Sequence, residues 1–277
     1  MEIISLKDTP FDTILQCFFD AFADYFVDVR MPEDFWRQRW RADRVDLQYS
    51  YGVFDGDYLV AFILNGIGNR DGKKLAFNAG TGVIPAYRGR RLVKTMYETF
   101  LPELKSIGIE ACALEVITEN TRAIKAYQSA GMAITRHYIC YNGSFEIPKI
   151  IQTDVDFKKT PYPDWEKYRD FRQEPLSWGN SRGAVELYNS FDAFEMWDQN
   201  EMTGYFLIDP QKKLLAQFEV RNNNWENWGN ALFQKIGKLT PLIKINNLNN
   251  KNQAKIRFLK QIKLPIVIEQ FEMEMTI

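Results

Sequence analysis

The sequence is poor in the residues that hydrolytic, redox and metal sites rely on. It has a single histidine, His137. A His-rich metal site is therefore excluded, and only His137 could serve as base in a Ser-His-Asp arrangement. It falls in a predicted strand, 134–141, and reads as structural. The cysteines are three, Cys17, Cys112 and Cys140, an odd number with no Cys-x-x-Cys pair. Each lies among apolar neighbours, which predicts buried, reduced thiols. No charge excess exists: Lys+Arg is 35 and Asp+Glu is 36, against a nucleic-acid binder, which would show a basic excess. No apolar run approaches the ~18 residues of a membrane span. The first residues lack a charged-then-apolar secretory pattern and read as a strand, so a cytoplasmic protein is expected.

What is present is an ordinary globular composition, 45% hydrophobic and 26% charged over 277 residues, enough for one large or two middling domains. The pattern predicts a strand at 1–7 and a helix from Pro10 to Val27, where Phe11, Ile14, Leu15, Phe18, Phe22 and Phe26 recur every three or four residues. A second helix runs from Pro32 to Ala42, started by proline and acids. A hairpin is predicted at 49–54 and 58–64, then a polar loop from Gly66 to Lys74 and a strand from Leu75 to Ile84. A helix after Arg88 carries Leu92, Met96, Phe100 and Leu104 on one stripe. A strand at 111–117, a helix from Asn120 to Ala130 stopped by Gly131, and a strand at 132–141 turned by Asn142-Gly143 follow. The alternation predicts a mixed α/β domain over 1–150.

The chemistry concentrates between Gly80 and Met132. A diphosphate needs donors that are cheap to desolvate, and the first turn of a helix supplies free N–H groups and positive potential. Gly89 allows close backbone approach, and Arg88, Arg90 and Arg91 add charge that can fork onto phosphate. An Arg-Gly-Arg-Arg turn alone also suits a merely solvated surface. Its position between an apolar strand and an amphipathic helix favours the phosphate reading. Paired with a tyrosine two helical turns beyond an asparagine, Tyr127 after Asn120, it points to a coenzyme A thioester and a transfer reaction.

The stretch Val83-Ile-Pro-Ala-Tyr-Arg88-Gly-Arg-Arg-Leu-Val93 resembles the acyl-CoA loop of the GNAT N-acetyltransferase superfamily, Arg/Gln-x-x-Gly-x-Gly/Ala. Leu114-Glu-Val…Asn120…Ala123…Tyr127…Gly131-Met132 resembles the family's next motif. The likeness covers about residues 1–145, with Arg91 standing where the family usually has glycine and Val93 where it has Gly or Ala. It implies a GNAT-like acyl-CoA fold in which Val83 and Ile84 pair with the pantetheine arm. The N–H groups of Gly89, Arg90, Arg91, Leu92 and Val93, beside Arg88, would take the pyrophosphate of acetyl-CoA, and Asn120 would reach the pantetheine or acetyl region. Tyr127 would be the acid at the thiolate and Glu115 the base, perhaps through water, for a primary amine. Glu115 equally suits an exposed sheet face or a pair with an arginine, and Tyr127 a core position. Asp24, Asp28, Glu33, Asp34, Phe35 and Trp36 lie where the family builds its acceptor wall. They would suit a cationic amine, or form a solvated face over a core.

Residues 151–277 look like the same plan in decayed form, a degenerate second GNAT-like repeat. One fixed offset pairs Leu114 with Ile245, Ala123 with Ala254 and Tyr127 with Phe258. Gly229 stands at a predicted helix start, 228–239, with no Arg-x-x-Gly loop before it. Phe258 cannot give a proton, so no chemistry is expected in this half. The expected function is acetyl transfer from acetyl-CoA, without a metal, to a small-molecule or peptide amine. A non-catalytic acyl-CoA-binding or regulatory protein, and a scaffold with neither activity, are the competing readings. Oligomeric state, a homodimer included, stays open.

Overall fold

The computed structural model describes residues 1–25, 28–70, 72–147 and 155–277. The elements, in chain order, are β1 (Glu2–Ser5), α1 (Phe11–Ala21), α2 (Glu33–Ala42), β2 (Tyr51–Asp55), β3 (Tyr58–Arg70), β4 (Lys73–Val83), α3 (Leu92–Ser106), β5 (Ala111–Ile117), α4 (Thr121–Ser129) and β6 (Ala133–Ser144). The same succession then repeats: β7 (Val155–Thr160), α5 (Trp165–Phe171), α6 (Arg182–Tyr188), β8 (Asp192–Asp198), β9 (Glu201–Asp209), β10 (Leu214–Val220), α7 (Trp225–Leu239), β11 (Leu242–Asn249), α8 (Gln253–Gln261) and β12 (Ile266–Thr276).

The chain folds as two compact units, one of Met1–Thr135 with Phe271–Ile277, the other of Arg136–Gln270. The expected boundary at residue 150 lies outside the described residues, as do Phe26 and Val27 of the expected first helix.

In the first unit the sheet order is β1-β2-β3-β4-β5, followed by the Phe271–Ile277 part of β12. Alternation along β3 sorts its side chains onto two faces. Ala61 and Ile63 join the core under α3 and α4, with Met96, Phe100, Leu114 and Tyr127. Phe62 and Leu64 join a second core with Ile14, Phe18 and Trp40 from α1 and α2. A central strand buried on both faces explains its near-continuous apolar run. The stretch from Gly66 to Lys74, expected as a loop, continues the β3–β4 ladder as far as the Arg70–Lys73 pair. Its small and polar residues hid the strand, and the distant partner that holds it, a buried Arg70–Glu272 pair at 2.6 Å, has no local signature.

The second unit orders its strands β6-β11-β10-β9-β8-β7. Asn142-Gly143 does not turn the chain: both residues pair with β11 inside β6. Gly229 lies inside α7 rather than at its start; a Cβ there would meet the Phe258 ring at 2.6 Å, so it marks close packing of α8 on α7. His137 is held by Glu269 at 2.6 Å and Asn250 at 2.9 Å, as a structural residue would be. All three cysteines are free and buried. No helix among the described residues is long and apolar enough to cross a membrane.

Candidate functional site

The site begins where two strands part. β4 and β5 run parallel from Leu75–Ala111 to Asn78–Leu114, and the pairing then ends. The cause lies on the other side of β4. Leu64 faces Gly80 while Asn65 faces Asn78, which leaves Ala79 as a bulge that bends the strand. Asn78 Oδ1 accepts from the Gly80 N–H at 3.1 Å and fixes the bend. Beyond it, the inward edges of β4 and β5 carry backbone groups that need partners.

The ladder shows which groups these are. Ile84 N–H donates to Val60 O at 3.0 Å, so Ala61 and Val83 form a pair whose own backbone groups point away from each other. Val83 N–H therefore points into the opening. Its carbonyl accepts from Arg88 Nε at 3.0 Å. Both backbone groups of Ile84 are already used, since its carbonyl accepts from Tyr87 N–H at 2.9 Å. What Ile84 offers a ligand is its side chain.

The loop after β4 turns through Pro85–Tyr87 and reaches α3 through two left-handed residues, Gly89 at φ 79° and Arg91 at φ 59°. Arg91 is the N-cap of α3 and has the backbone conformation that a glycine adopts without strain. The first intrahelical bond runs from Thr95 N–H to Arg91 O at 3.1 Å, so the N–H groups of Leu92, Val93 and Lys94 face out of the helix end. The Arg88 guanidinium is forked onto Asp24, with both contacts at 2.6 Å, and donates to Ala21 O at 2.9 Å. That hydrogen bond holds the Asp24 carboxyl below its usual range. Arg88 thus ties the loop to the end of α1. Arg90 lies over the Tyr87 ring at 4.8 Å, and its charge and that of Arg91 remain at the surface.

At the inner end of the opening stand four polar groups. Asn78 Nδ2 donates to Thr81 Oγ1 at 2.6 Å and to Tyr97 Oη at 2.9 Å. Tyr127 stands close to Thr81, and its phenol is lifted to about 12 by burial, with Thr81 opposing the lift. Asn120 Oδ1 caps α4 by accepting from Ala123 N–H at 3.1 Å, and its side chain lies close enough to Tyr25 to oppose the rise that burial gives that phenol. Tyr25 lies near enough to Tyr127 to raise it further. Asn78, Thr81, Tyr97 and Tyr25 were not read from the sequence. The available signal was Asn78 itself, a polar residue inside an apolar strand two places before a glycine.

Glu115 points to the opposite face of the sheet from its neighbours Leu114 and Val116, which pack with Tyr127. Burial first, then the nearby Glu272, pushes its carboxyl up to about 8, with Arg39 and Arg70 opposing. Glu115 and Tyr127 thus flank the parted strands from opposite faces. The residues of the expected acceptor wall have partners close by in sequence or lie at the surface. Besides Asp24, Asp28 accepts from Arg30 N–H at 2.9 Å and Glu33 pairs with Arg37 at 2.5 Å. Trp36 packs on Phe18 with ring centres 4.4 Å apart, while Asp34 and Phe35 are exposed. A recess of about 420 Å³ beside these helices is lined by Gln16, Phe19, Arg30, Met31 and Pro32.

The second unit has the same opening and closes it. β10 carries a bulge between Leu215 and Gln217, and a single parallel pair, Leu214–Lys244, joins it to β11. Asn180 bridges the gap: its Nδ2 donates to Asn246 O at 2.7 Å, and its carbonyl accepts from Gln217 Nε2 at 2.7 Å. A buried Lys255–Glu219 pair at 2.6 Å fills the end, and a pocket of about 40 Å³ remains. The helix caps correct the expected register by one residue. Asn252 caps α8 through Lys255 N–H at 3.1 Å as Asn120 caps α4 through Ala123. Leu264 N–H bonds Leu259 O at 3.1 Å as Met132 bonds Tyr127 at 3.0 Å. Tyr127 therefore corresponds to Leu259 rather than Phe258, and Ala123 to Lys255 rather than Ala254.

Residues 15–132 match the model of the acetyltransferase (GNAT) family. No curated protein matches the sequence. Among solved structures, a GCN5-related N-acetyltransferase from Sphaerobacter thermophilus is similar at a TM-score of 0.70 and 11% identity, covering 95% of this chain and 91% of that one. A tandem GNAT protein from the clavulanic acid biosynthesis pathway is similar at a TM-score of 0.65 and 11% identity, covering 99% and 98%. A GCN5-related N-acetyltransferase from Kribbella flavida reaches a TM-score of 0.60 at 17% identity, covering 99% and 70%. At these identities the likeness is one of fold.

Proposed function

We propose, from the premise that this chain carries a GNAT domain over residues 15–132 within a tandem GNAT-like fold, that its first unit transfers an acetyl group from acetyl-CoA to a primary amine. The observation that carries this reading is the parting of β4 from β5 with Val83 N–H on one side and Tyr127 at its inner end. The thioester would supply the activated acyl group. The exposed N–H groups at the start of α3, with the surface charges of Arg90 and Arg91, would hold the pyrophosphate. Arg88 would shape that loop through Asp24.

An alkylamine with a pKa of about 10.4 is charged at neutral pH and must lose a proton before it attacks. Glu115 would accept that proton, directly or through water, and its raised pKa near 8 brings it close to the operating pH. Val83 N–H would donate to the carbonyl oxygen as negative charge gathers on it. Tyr127 would give its proton to the departing sulfur. A phenol at about 12 is a poor acid toward a thiolate in water, whose conjugate acid lies near 8.5.

The second unit would do no chemistry, since its opening is occupied by its own side chains. A second reading, acyl-CoA binding without transfer, draws on Arg91, which holds a glycine-like conformation at the pyrophosphate loop. Calorimetric titration with acetyl-CoA, and free-thiol release across a panel of amines, test both. Amine-dependent thiol release is expected. Binding without release would leave only the second reading, and no binding at millimolar acetyl-CoA would overturn both.

A further inference from the structure

We infer that Arg88 is a positioning residue that clamps the Val83 peptide to the end of α1 and so holds the Val83 N–H in the opening between β4 and β5. The inference rests on the acyl-transfer reading. It sets Arg88 apart from Arg90 and Arg91, whose charges remain at the surface.

A guanidinium carries about five N–H donors in one plane. In Arg88 four of them meet protein oxygens: Nε donates to Val83 O at 3.0 Å, two N–H groups to the Asp24 carboxylate at 2.6 Å each, and one to Ala21 O at 2.9 Å. The single N–H that remains cannot fork onto a phosphate. Both carbonyls are ones that their own elements leave without a donor. Ala21 is the last residue of α1, where the helix has no N–H to offer. Val83 O lies on the edge of β4 turned away from β3, beyond the point where β5 stops pairing. A cation there also meets the negative end of the α1 dipole, and Asp24 balances its charge.

The N–H and carbonyl of one strand residue point to the same side, so a bond to the carbonyl also orients the N–H. This end of β4 is thereby held from both edges. Ile84 N–H bonds Val60 O at 3.0 Å on one side, and Arg88 bonds Val83 O on the other. A donor fixed in advance is what a developing oxyanion needs, since no reorganisation is then left for the moment of reaction. The second unit supports this from the opposite direction. The turn Pro85–Tyr87 ends at Arg88, and Gly89, Arg90 and Arg91 follow before α3 begins. The corresponding turn Arg221–Asn223 ends at Asn224, which caps α7 directly through Asn227 N–H at 3.3 Å. The arginine and the loop after it are missing together, in the unit whose gap Asn180 bridges.

The test compares acetyl-CoA with acetyl-pantetheine, which has the thioester and no diphosphate, on the full-length chain. Arg88→Lys keeps the charge and loses the planar fork. It is expected to lower kcat for thiol release about tenfold with KM for acetyl-CoA within about twofold, and to lower kcat/KM for acetyl-pantetheine by a similar factor. Asp24→Asn should act in the same direction with a smaller loss. A rise in KM for acetyl-CoA with kcat unchanged, or a loss confined to acetyl-CoA, makes Arg88 a phosphate ligand and overturns the inference. A second readout needs no turnover: carbon NMR of acetyl-CoA labelled at the thioester carbonyl, with no amine present. That carbon should move downfield on binding to the wild type, as a donor polarises the carbonyl, and should lose most of the displacement in saturated Arg88→Lys. An unchanged displacement overturns the inference, and so does an absence of binding to the wild type. If Arg88→Lys fails to fold, Asp24→Asn decides by the same readouts. Absence of thiol release from the wild type, with the displacement present and lost in the variant, removes the acyl-transfer reading and leaves the positioning of Val83 standing.

Discussion

The two halves of the sequence carry the same ten elements in the same order, down to an asparagine cap on the last helix and a left-handed residue after it, Gly131 in one and Lys263 in the other. They differ in what occupies the gap between the parted strands. In the first unit, backbone and hydroxyl groups line an opening. In the second, Asn180 supplies hydrogen bonds to both strands, and the Lys255–Glu219 pair supplies the polar end. The bulge and the caps are properties of the fold, kept wherever the strands must separate. The candidate site is a separate feature, and the second unit has its own side chains in the corresponding gap.

The largest test of this contrast is in the second unit. Lys255→Met should leave Glu219 buried without its cation and destabilise the protein by about 3–5 kcal/mol in urea unfolding, whereas adding Glu219→Leu should recover most of the loss. If Lys255→Met alone is neutral, the pair does not hold that gap closed. Next in size, Tyr127→Phe should lower kcat about 100-fold with little change in KM for acetyl-CoA, while Leu259→Phe leaves kcat unchanged. Equal effects in both units would break the asymmetry.

Glu115 offers a test through pH. Its folded-state pKa, about 8, is raised from the ordinary 4.5, so the folded state retains a proton that the unfolded chain has lost. The stability this contributes is complete below about 4.5 and is lost as pH rises through about 8. Glu115→Gln cannot ionise, so it should be more stable than wild type by up to roughly 5 kcal/mol at high pH, with the difference fading toward the acid end. A constant difference across the range would remove the burial argument. The same variant should abolish the rise of thiol release with pH that Glu115 provides as base. The smallest effect is expected at Arg91, where Arg91→Gly should relieve the left-handed backbone and raise stability by about 0.5–1 kcal/mol. An unchanged melting midpoint would show that the loop carries no strain there.

The sequence revealed what is local. The strand Ala111–Ile117, the cap at Asn120 and the stop at Gly131 follow from periodicity and terminal chemistry and appear at those residues. The reach of β3 and β4 to Arg70 and Lys73 did not, because a ladder forms between neighbours whatever their side chains, and the partner of Arg70 is 202 residues away. Arg88 shows the same limit. Its type suited phosphate, but Asp24, 64 residues earlier, holds its guanidinium. Tyr25 escaped notice because nothing near it in sequence marks it, and only folding brings it to Asn120 and Tyr127.

The placement of Phe271–Ile277 in the first unit has a consequence for biosynthesis. Ile277 N–H bonds Glu110 O at 3.0 Å, and Glu272 neutralises Arg70 inside the sheet. Residues 1–135 leave the ribosome early but lack the strand that covers the edge of β5 and the carboxylate that accompanies Arg70. The unit that holds the candidate site is thus begun before the other and completed after it, and it waits for residues 136–270 to be translated.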